Sequence, residues 1–218
     1  MGNLFNMDNG FFTALSKICD ILILSVVWVV VCIPIFTIGP ANTALYYATV
    51  KVIRRERGYL IREFFKSFKL NFKQGAIIGI LLTLVTFFLG FDLLWAWINQ
   101  ESFRLGSALF GIFIAMSVMM LCISIYIYPI LSRFEMTIKQ IFKAATLMSI
   151  RHLPSTIGMM LIIAASALGI FFIPILLFVL PAAATYLISL LMERVLKKYM
   201  PESQGPGEET GKDEWYLE

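Results

Sequence analysis

Charged and catalytically useful side chains are scarce in this sequence. Only 15% of the 218 residues are charged, and histidine occurs once, at His152. The chain contains neither a G-x-x-x-x-G-K-[ST] loop for a nucleotide nor an H-E-x-x-H pair for zinc. A lone imidazole rarely forms a site. The sequence therefore predicts a protein that is not an enzyme, with no catalytic residue and no cofactor.

Cysteine is also sparse. Cys19, Cys32 and Cys122 are an odd number and lie far apart, without the spacing of metal ligands. Neither a disulfide framework nor a metal site follows from them. We interpret them as small apolar side chains inside the predicted helices.

Apolar residues, by contrast, are abundant and occur in long runs. They make up 59% of the chain, the mean hydropathy is +0.83, and several runs reach the roughly 20 residues that cross a bilayer as a helix. Pro174 divides the last run in two. The fold class predicted is an all-α, polytopic membrane helical bundle that forms a single domain over residues 1–200. The five predicted spans are about 18–38, 76–98, 107–131, 157–173 and 175–192.

The basic residues predict an orientation for this bundle. Fifteen of the seventeen Lys and Arg residues before position 200 fall within 39–75, 132–156 and 193–200. Basic loops stay cytoplasmic, so these stretches are predicted to be inside, with Lys17 and Arg104 outside. The N-terminus is then external and the C-terminus cytoplasmic, although residues 1–17 could instead lie along the surface.

Composition also bears on the partners and on the chain's end. The sequence pI of about 9.0 is explained by loops that face anionic lipid headgroups, so we do not predict nucleic acid as a partner. From Pro201 onward the composition changes to Pro, Gly, Ser and Glu. Such a segment cannot bury a core, so residues 201–218 are predicted to be a disordered acidic tail.

Two basic segments are predicted to be amphipathic helices on the cytoplasmic side. Each has apolar residues at helical spacing on one face and lysine or arginine on another. Two interpretations remain open: a helix lying on anionic membrane lipid, or a docking helix for a partner protein. The contact residues predicted are Arg62, Phe65, Lys66, Phe68, Lys69 and Lys73 in the first helix, and Lys139 and Lys143 in the second.

Each amphipathic helix precedes an apolar hairpin, so residues 60–131 and 137–192 are predicted to be two copies of one unit.

Small residues inside the spans predict close helix contacts. Gly75 and Gly79 form a G-x-x-x-G pattern, and Ala165 and Gly169 belong to a second group. We favour packing within the bundle over a partner interface for these four positions.

Asp92 is the acid placed inside a predicted span. An ionisable group in the membrane is a candidate for function. Because Trp95 and Trp97 prefer the headgroup region, Asp92 is predicted to lie near the outer interface, as a possible polar contact of the outer face.

A break in the chain and the helix after it carry a resemblance. Pro40 suits a first helical turn, so a second helix is predicted over Ala41–Arg55 along the inner face. Residues 1–75 resemble the YesL-like family of bacterial membrane proteins. The similar positions are Pro34, Gly39, Pro40, Thr43, Ala44 and Tyr46 at the break, and Phe64, Phe65, Phe68, Asn71 and Phe72 in the basic helix.

The resemblance implies a Gram-positive source and genes beside carbohydrate ABC importers, with no assigned activity and no catalytic residues to carry over. It favours a non-catalytic accessory or assembly subunit that contacts the permease subunits of such an importer, with its ATPase subunits as a second candidate contact. Carbohydrate would then be a partner only indirectly. Two alternatives stay open: a stand-alone solute facilitator, and a membrane component of a sugar-sensing complex.

Overall fold

The computed structural model of the protein describes residues 10–99 and 106–199. In these two ranges the chain is helical and contains no strand. The eight α-helices are α1 (Gly10–Val31), α2 (Ile38–Ala48), α3 (Leu60–Leu70), α4 (Phe72–Ile98), α5 (Gly106–Arg133), α6 (Ile138–Arg151), α7 (Leu153–Phe172) and α8 (Leu180–Leu196). The all-helical bundle is therefore confirmed.

Three of the described helices, α4, α5 and α7, are long and apolar enough to cross a membrane. Most of their residues are not buried within the chain, so their apolar side chains face outward, as lipid requires. The chain is thus a membrane protein. Gln74 near the start of α4 bonds the carbonyl of Met136 just after α5, and Trp97 at the far end of α4 lies against Phe110 near the start of α5.

Helix α2 lies at the centre of the fold and is buried on nearly every side. Ala41, Ala44 and Ala48 have no exposed surface, and α2 contacts α1, α3, α4, α5 and α8. Its first turn contains Pro40, as the sequence predicted. The helix continues as a π-helical segment, Thr49–Arg54, which is also largely buried. A helix that is enclosed in this way needs small side chains where other helices cross it.

Glycines make the closest of these crossings possible. A Cβ atom on Gly39 of α2 would overlap the carbonyl oxygen of Gly75 and lie 2.9 Å from the Cα of Gly79. Gly75 and Gly79 are one turn apart on α4, so the two backbones touch directly. The predicted G-x-x-x-G contact is therefore a contact within the bundle.

Both predicted amphipathic helices are present, as α3 and α6. In α3, Phe64 is fully buried; in α6, Ile141 and Ala145 are fully buried. A capping box between Thr137 and Gln140 begins α6. Each amphipathic helix is followed by two further helices, which is the order that the duplication hypothesis requires; common ancestry of the two halves stays a prediction.

Helix α1 runs antiparallel to α2 and its π-helical continuation. Trp28 donates a hydrogen bond to Asn42 at 2.9 Å near their connection, and Lys17 pairs with Glu56 at 2.7 Å at the other end. The prediction that Lys17 lies outside while residues 39–75 lie inside is therefore wrong. The break after α1 reverses the chain, which places Lys17 beside the first basic stretch.

The first and the last of the five predicted spans also differ from the structure. The first, 18–38, ends as a helix at Val31, and a 3₁₀ turn, Ile35–Thr37, precedes α2. The last, 175–192, begins with a 3₁₀ turn, Pro174–Phe178, and α8 continues to Leu196. The division at Pro174 is confirmed. The predictions for residues 1–9, for Arg104 and for the tail at 201–218 lie outside the described residues.

We expect Gly39→Ala to lower the free energy of unfolding by about 1–3 kcal/mol, the usual cost of overpacking. The new methyl group would have to push the backbones of α2 and α4 apart. Gly90→Ala on α4 is the matched control, because a Cβ there meets nothing within 4 Å. Thermal unfolding in detergent compares the two variants, and equal midpoints would contradict the close backbone contact.

Candidate functional site

An ionic pair is buried where α5, α8 and α2 meet. Arg133 is the last residue of α5 and pairs with Glu193 of α8; the two residues are only 2% and 3% exposed. The hydroxyl of Tyr46, on α2, donates a hydrogen bond to the same carboxylate at 2.8 Å. Three helices are therefore joined at one carboxylate.

Two further arginines border this carboxylate. Arg55 approaches the second oxygen of Glu193 at 4.0 Å, and Arg54 donates a hydrogen bond to the carbonyl of Ser189 at 2.9 Å. Burial lowers the pKa of Arg55, the Glu193 carboxylate opposes this effect, and Arg133 adds to the lowering. We call Tyr46, Arg54, Arg55, Arg133 and Glu193 the ionic cluster.

A second ion pair fixes the basic helix α3 to the π-helical segment. Lys51 lies 3.0 Å from a carboxylate oxygen of Glu63 and 3.1 Å from the hydroxyl of Tyr47. Burial acts to lower the pKa of Lys51, but its hydrogen bonds to Tyr47 and Glu63 outweigh burial and raise that pKa. Lys51 is therefore charged at neutral pH. Its ion pair with Glu63 holds α3 against the π-helical segment.

A cavity of about 390 Å³ adjoins the ionic cluster at Tyr46. Its walls come from α1, α2, α5, α7, α8 and the 3₁₀ turn Pro174–Phe178, and they are mostly apolar. Polar groups in the wall include Asn42, which accepts the hydrogen bond from Trp28 and lies within hydrogen-bonding reach of Tyr128. This volume and polarity are in the range of ligand pockets.

The contacts in this region position the helices. Arg133 and Arg55 approach the Glu193 carboxylate, and Arg54 bonds the backbone of α8, so these groups fix the helices to one another. Within residues 10–99 and 106–199, no three His, Cys, Asp or Glu residues are grouped to hold a metal ion. The cavity beside the cluster offers mostly hydrocarbon contact, together with the side-chain amide of Asn42 and several hydroxyl groups.

The predicted contact residues of the basic helices lie on the surface, away from the ionic cluster. In α3, Phe65 is exposed and Phe68 is partly buried beside the core. The exposed basic side chains are Arg62, Lys66, Lys69, Lys73, Lys139 and Lys143. Their interpretation as lipid or partner contacts stays a prediction.

The remaining predicted residues divide between packing and surface. Gly169 packs within the bundle, because a Cβ there would lie 3.0 Å from Leu180. Ala165, four residues earlier on α7, is exposed. Asp92 is partly buried on α4, six residues before the end of that helix. The ionic cluster lies toward the opposite end, where α4 begins and α5 ends.

The sequence reasoning missed the ionic cluster. The basic stretches that contain Arg133, Arg54 and Arg55 predict only an orientation, and Glu193 is not among the predicted site residues. A signal was present, because Glu193 is an acid inside the apolar run of α8, and such residues are usually paired. Its partner lies 60 residues away, and only the fold, which brings the end of α5 beside α8, identifies it.

These features define the class: a helical membrane protein whose helices are joined by a buried ionic cluster. Residues 21–93, about a third of the chain, match a family model described as "Protein of unknown function, DUF624". The match extends from α1 into α4 and so includes the whole of α2 and α3. It is consistent with the YesL-like resemblance and supplies no activity. No curated protein and no solved structure matches the chain.

We expect Glu193→Ala to lower the free energy of unfolding by about 3–5 kcal/mol, because Arg133 would keep a buried charge without its carboxylate. Glu135→Ala is the matched control, since Glu135 is exposed two residues after Arg133. The double variant Arg133→Met with Glu193→Met should recover much of the loss. Thermal unfolding in detergent measures all three, and a Glu193→Ala midpoint equal to that of Glu135→Ala would contradict the pairing.

Proposed function

We propose that the protein is a non-catalytic accessory or assembly subunit that binds a permease partner laterally in the membrane. The partner class, the permease subunits of a carbohydrate ABC importer, rests on the YesL-like resemblance and not on the residues themselves. In this proposal the ionic cluster holds the helices rigid, and exposed helix surface makes the contact.

The observation that carries the proposal is the exposed small-residue surface of α7. Gly75, Gly79 and Gly169 are occupied by contacts inside the bundle, whereas Ala164 and Ala165 are exposed on a helix long enough to span the membrane. Helices in lipid associate through small residues because their backbones can approach closely. Small side chains at this surface leave room for a partner helix.

The charge distribution supports an orientation. With Lys17 beside Glu56, the Lys and Arg residues of the described ranges lie at the end of the bundle where α4 begins and α5 ends. We call this the basic end. The positive-inside rule favours the basic end as cytoplasmic. The exposed lysines of α3 and α6 would then be on the side where an importer carries its ATPase subunits.

A stand-alone solute facilitator is the second candidate, because the cavity provides internal space. Its mostly apolar wall is a poor path for a hydrated saccharide, which needs a hydrogen-bond partner for each hydroxyl group. Solute flux into vesicles that contain only this protein discriminates the two functions. Flux above that of empty vesicles would favour the facilitator.

We expect Ala165→Phe to reduce recovery of permease subunits in a detergent pull-down of the tagged protein from its native membranes. A ring that costs about 1.4 kcal/mol at the contact lowers the affinity roughly tenfold. Ala115→Phe on α5 is the matched control, because Ala115 is likewise exposed on a helix long enough to span the membrane.

Full recovery of permease subunits by the Ala165→Phe variant would argue against α7 as the contact. Clean isolation of the wild-type chain alone would argue against the accessory role itself. Both variants are first compared with wild type in thermal unfolding, so that a loss of binding is not confused with a loss of fold.

A further inference from the structure

The cavity beside Tyr46 is elongated and has a polar end and an apolar end. Along α8 it extends from Ile188 to Leu180, about 12 Å at the helical rise of 1.5 Å per residue. The wall includes Asn42 and Tyr128, of which Tyr128 lies near the last turns of α5, and aliphatic side chains such as Ile170 and Leu177, which lie near the turn between α7 and α8 at the opposite end of these helices. A ligand that fits this wall is itself apolar over most of its length.

The hydroxyl groups in the wall do not change this character. Ser124, Ser166 and Thr185 each donate a hydrogen bond to a carbonyl of their own helix, at 2.9, 2.7 and 2.7 Å. Their donors are therefore already used. The amide of Asn42 holds its oxygen toward Trp28 and has two N–H donors; the Tyr128 hydroxyl can accept one of them, so the other can donate to a ligand.

The cavity communicates with the surface of a membrane-spanning helix. Ile163 and Ala167 line the cavity and are also exposed on α7. Both lie inside the 20-residue apolar helix, so what surrounds them is the hydrocarbon of the bilayer. The molecules present at this opening are lipids, at very high local concentration.

The depth of the polar end matches the ester region of a lipid. Tyr128 lies five residues before Arg133, the last residue of α5, which corresponds to about 7.5 Å along the helix. Tyr128 is within hydrogen-bonding reach of Asn42, so Asn42 is at a similar depth. Aromatic and polar side chains at this depth lie where headgroups meet hydrocarbon.

We propose that the cavity binds one acyl chain of a membrane phospholipid, with its ester carbonyl accepting a hydrogen bond from Asn42. The chain extends from Asn42 toward Leu177 and enters between α5 and α7. This binding site does not depend on any partner protein. It also explains why a mostly apolar space exists beside a cluster of charges: hydrocarbon fills it and excludes water from the ionic cluster.

A phosphatidylglycerol with a photoreactive diazirine on its acyl chain tests the site. The full-length protein is placed in vesicles that contain this probe, irradiated, digested and analysed by mass spectrometry. We expect saturable labelling of cavity residues such as Ile170, Leu177 and Ile188, which excess unlabelled phosphatidylglycerol suppresses. Labelling confined to outward-facing residues of α4, α5 and α7, without saturation, would overturn the proposal.

Two variants that fill the cavity give the second reading. Ala184→Phe places a ring inside the cavity, and Ala167→Phe obstructs its opening at an exposed position that should tolerate the change. Ala115→Phe on α5 is the matched control, because Ala115 is exposed and does not line the cavity.

We expect cavity labelling to fall by about a factor of ten in the filling variants, which corresponds to about 1.4 kcal/mol of binding, and to stay unchanged in Ala115→Phe. Undiminished cavity labelling in a folded filling variant would overturn the site. Suppression of labelling by a soluble saccharide but not by phosphatidylglycerol would instead identify the cavity as a solute site and would also refute the proposal.

Discussion

The direct backbone contact between α2 and α4 is the constraint on which the rest of the structure depends. With Gly39 against Gly75 and Gly79, α2 sits deep enough for four other helices to surround it. Dispersion contacts between such close backbones are numerous, and in lipid they replace the hydrophobic driving force that soluble helices share. The positions of Asn42 and Tyr46, and therefore of the cavity and the ionic cluster, follow from this depth.

Charged side chains that are buried beside the enclosed helix α2 need partners of opposite charge, and the ionic cluster provides them. A carboxylate or guanidinium buried alone costs several kcal/mol, so Arg133 and Glu193 are compatible with the fold only together. Tyr46 adds a hydrogen bond from the central helix to the same carboxylate. The cluster thus ties the ends of α5 and α8 to α2, while the outward surfaces of α4, α5 and α7 are mostly apolar.

The sequence predicted those parts of the fold that depend on local pattern. Hydropathy located α4, α5 and α7, the helical spacing of phenylalanine and lysine located α3, and Pro40 located the start of α2. It could not predict that α1 folds back along α2, because a reversal after Val31 and a continued crossing have the same hydropathy. It could not pair Arg133 with Glu193 either, because that contact exists only after the fold brings the end of α5 beside α8.

The π-helical segment Thr49–Arg54 makes this arrangement sensitive to chain length. Its wider turn, with the amide of Arg55 bonded to the carbonyl of Val50, holds one more residue than an α-helix would over the same rise. That extra residue lets Lys51 face α3 while Arg54 faces α8. Deleting a single residue here would rotate everything after it by about 100°, since an α-helix has 3.6 residues per turn. Among related chains, this segment should therefore vary in side chains far more readily than in length.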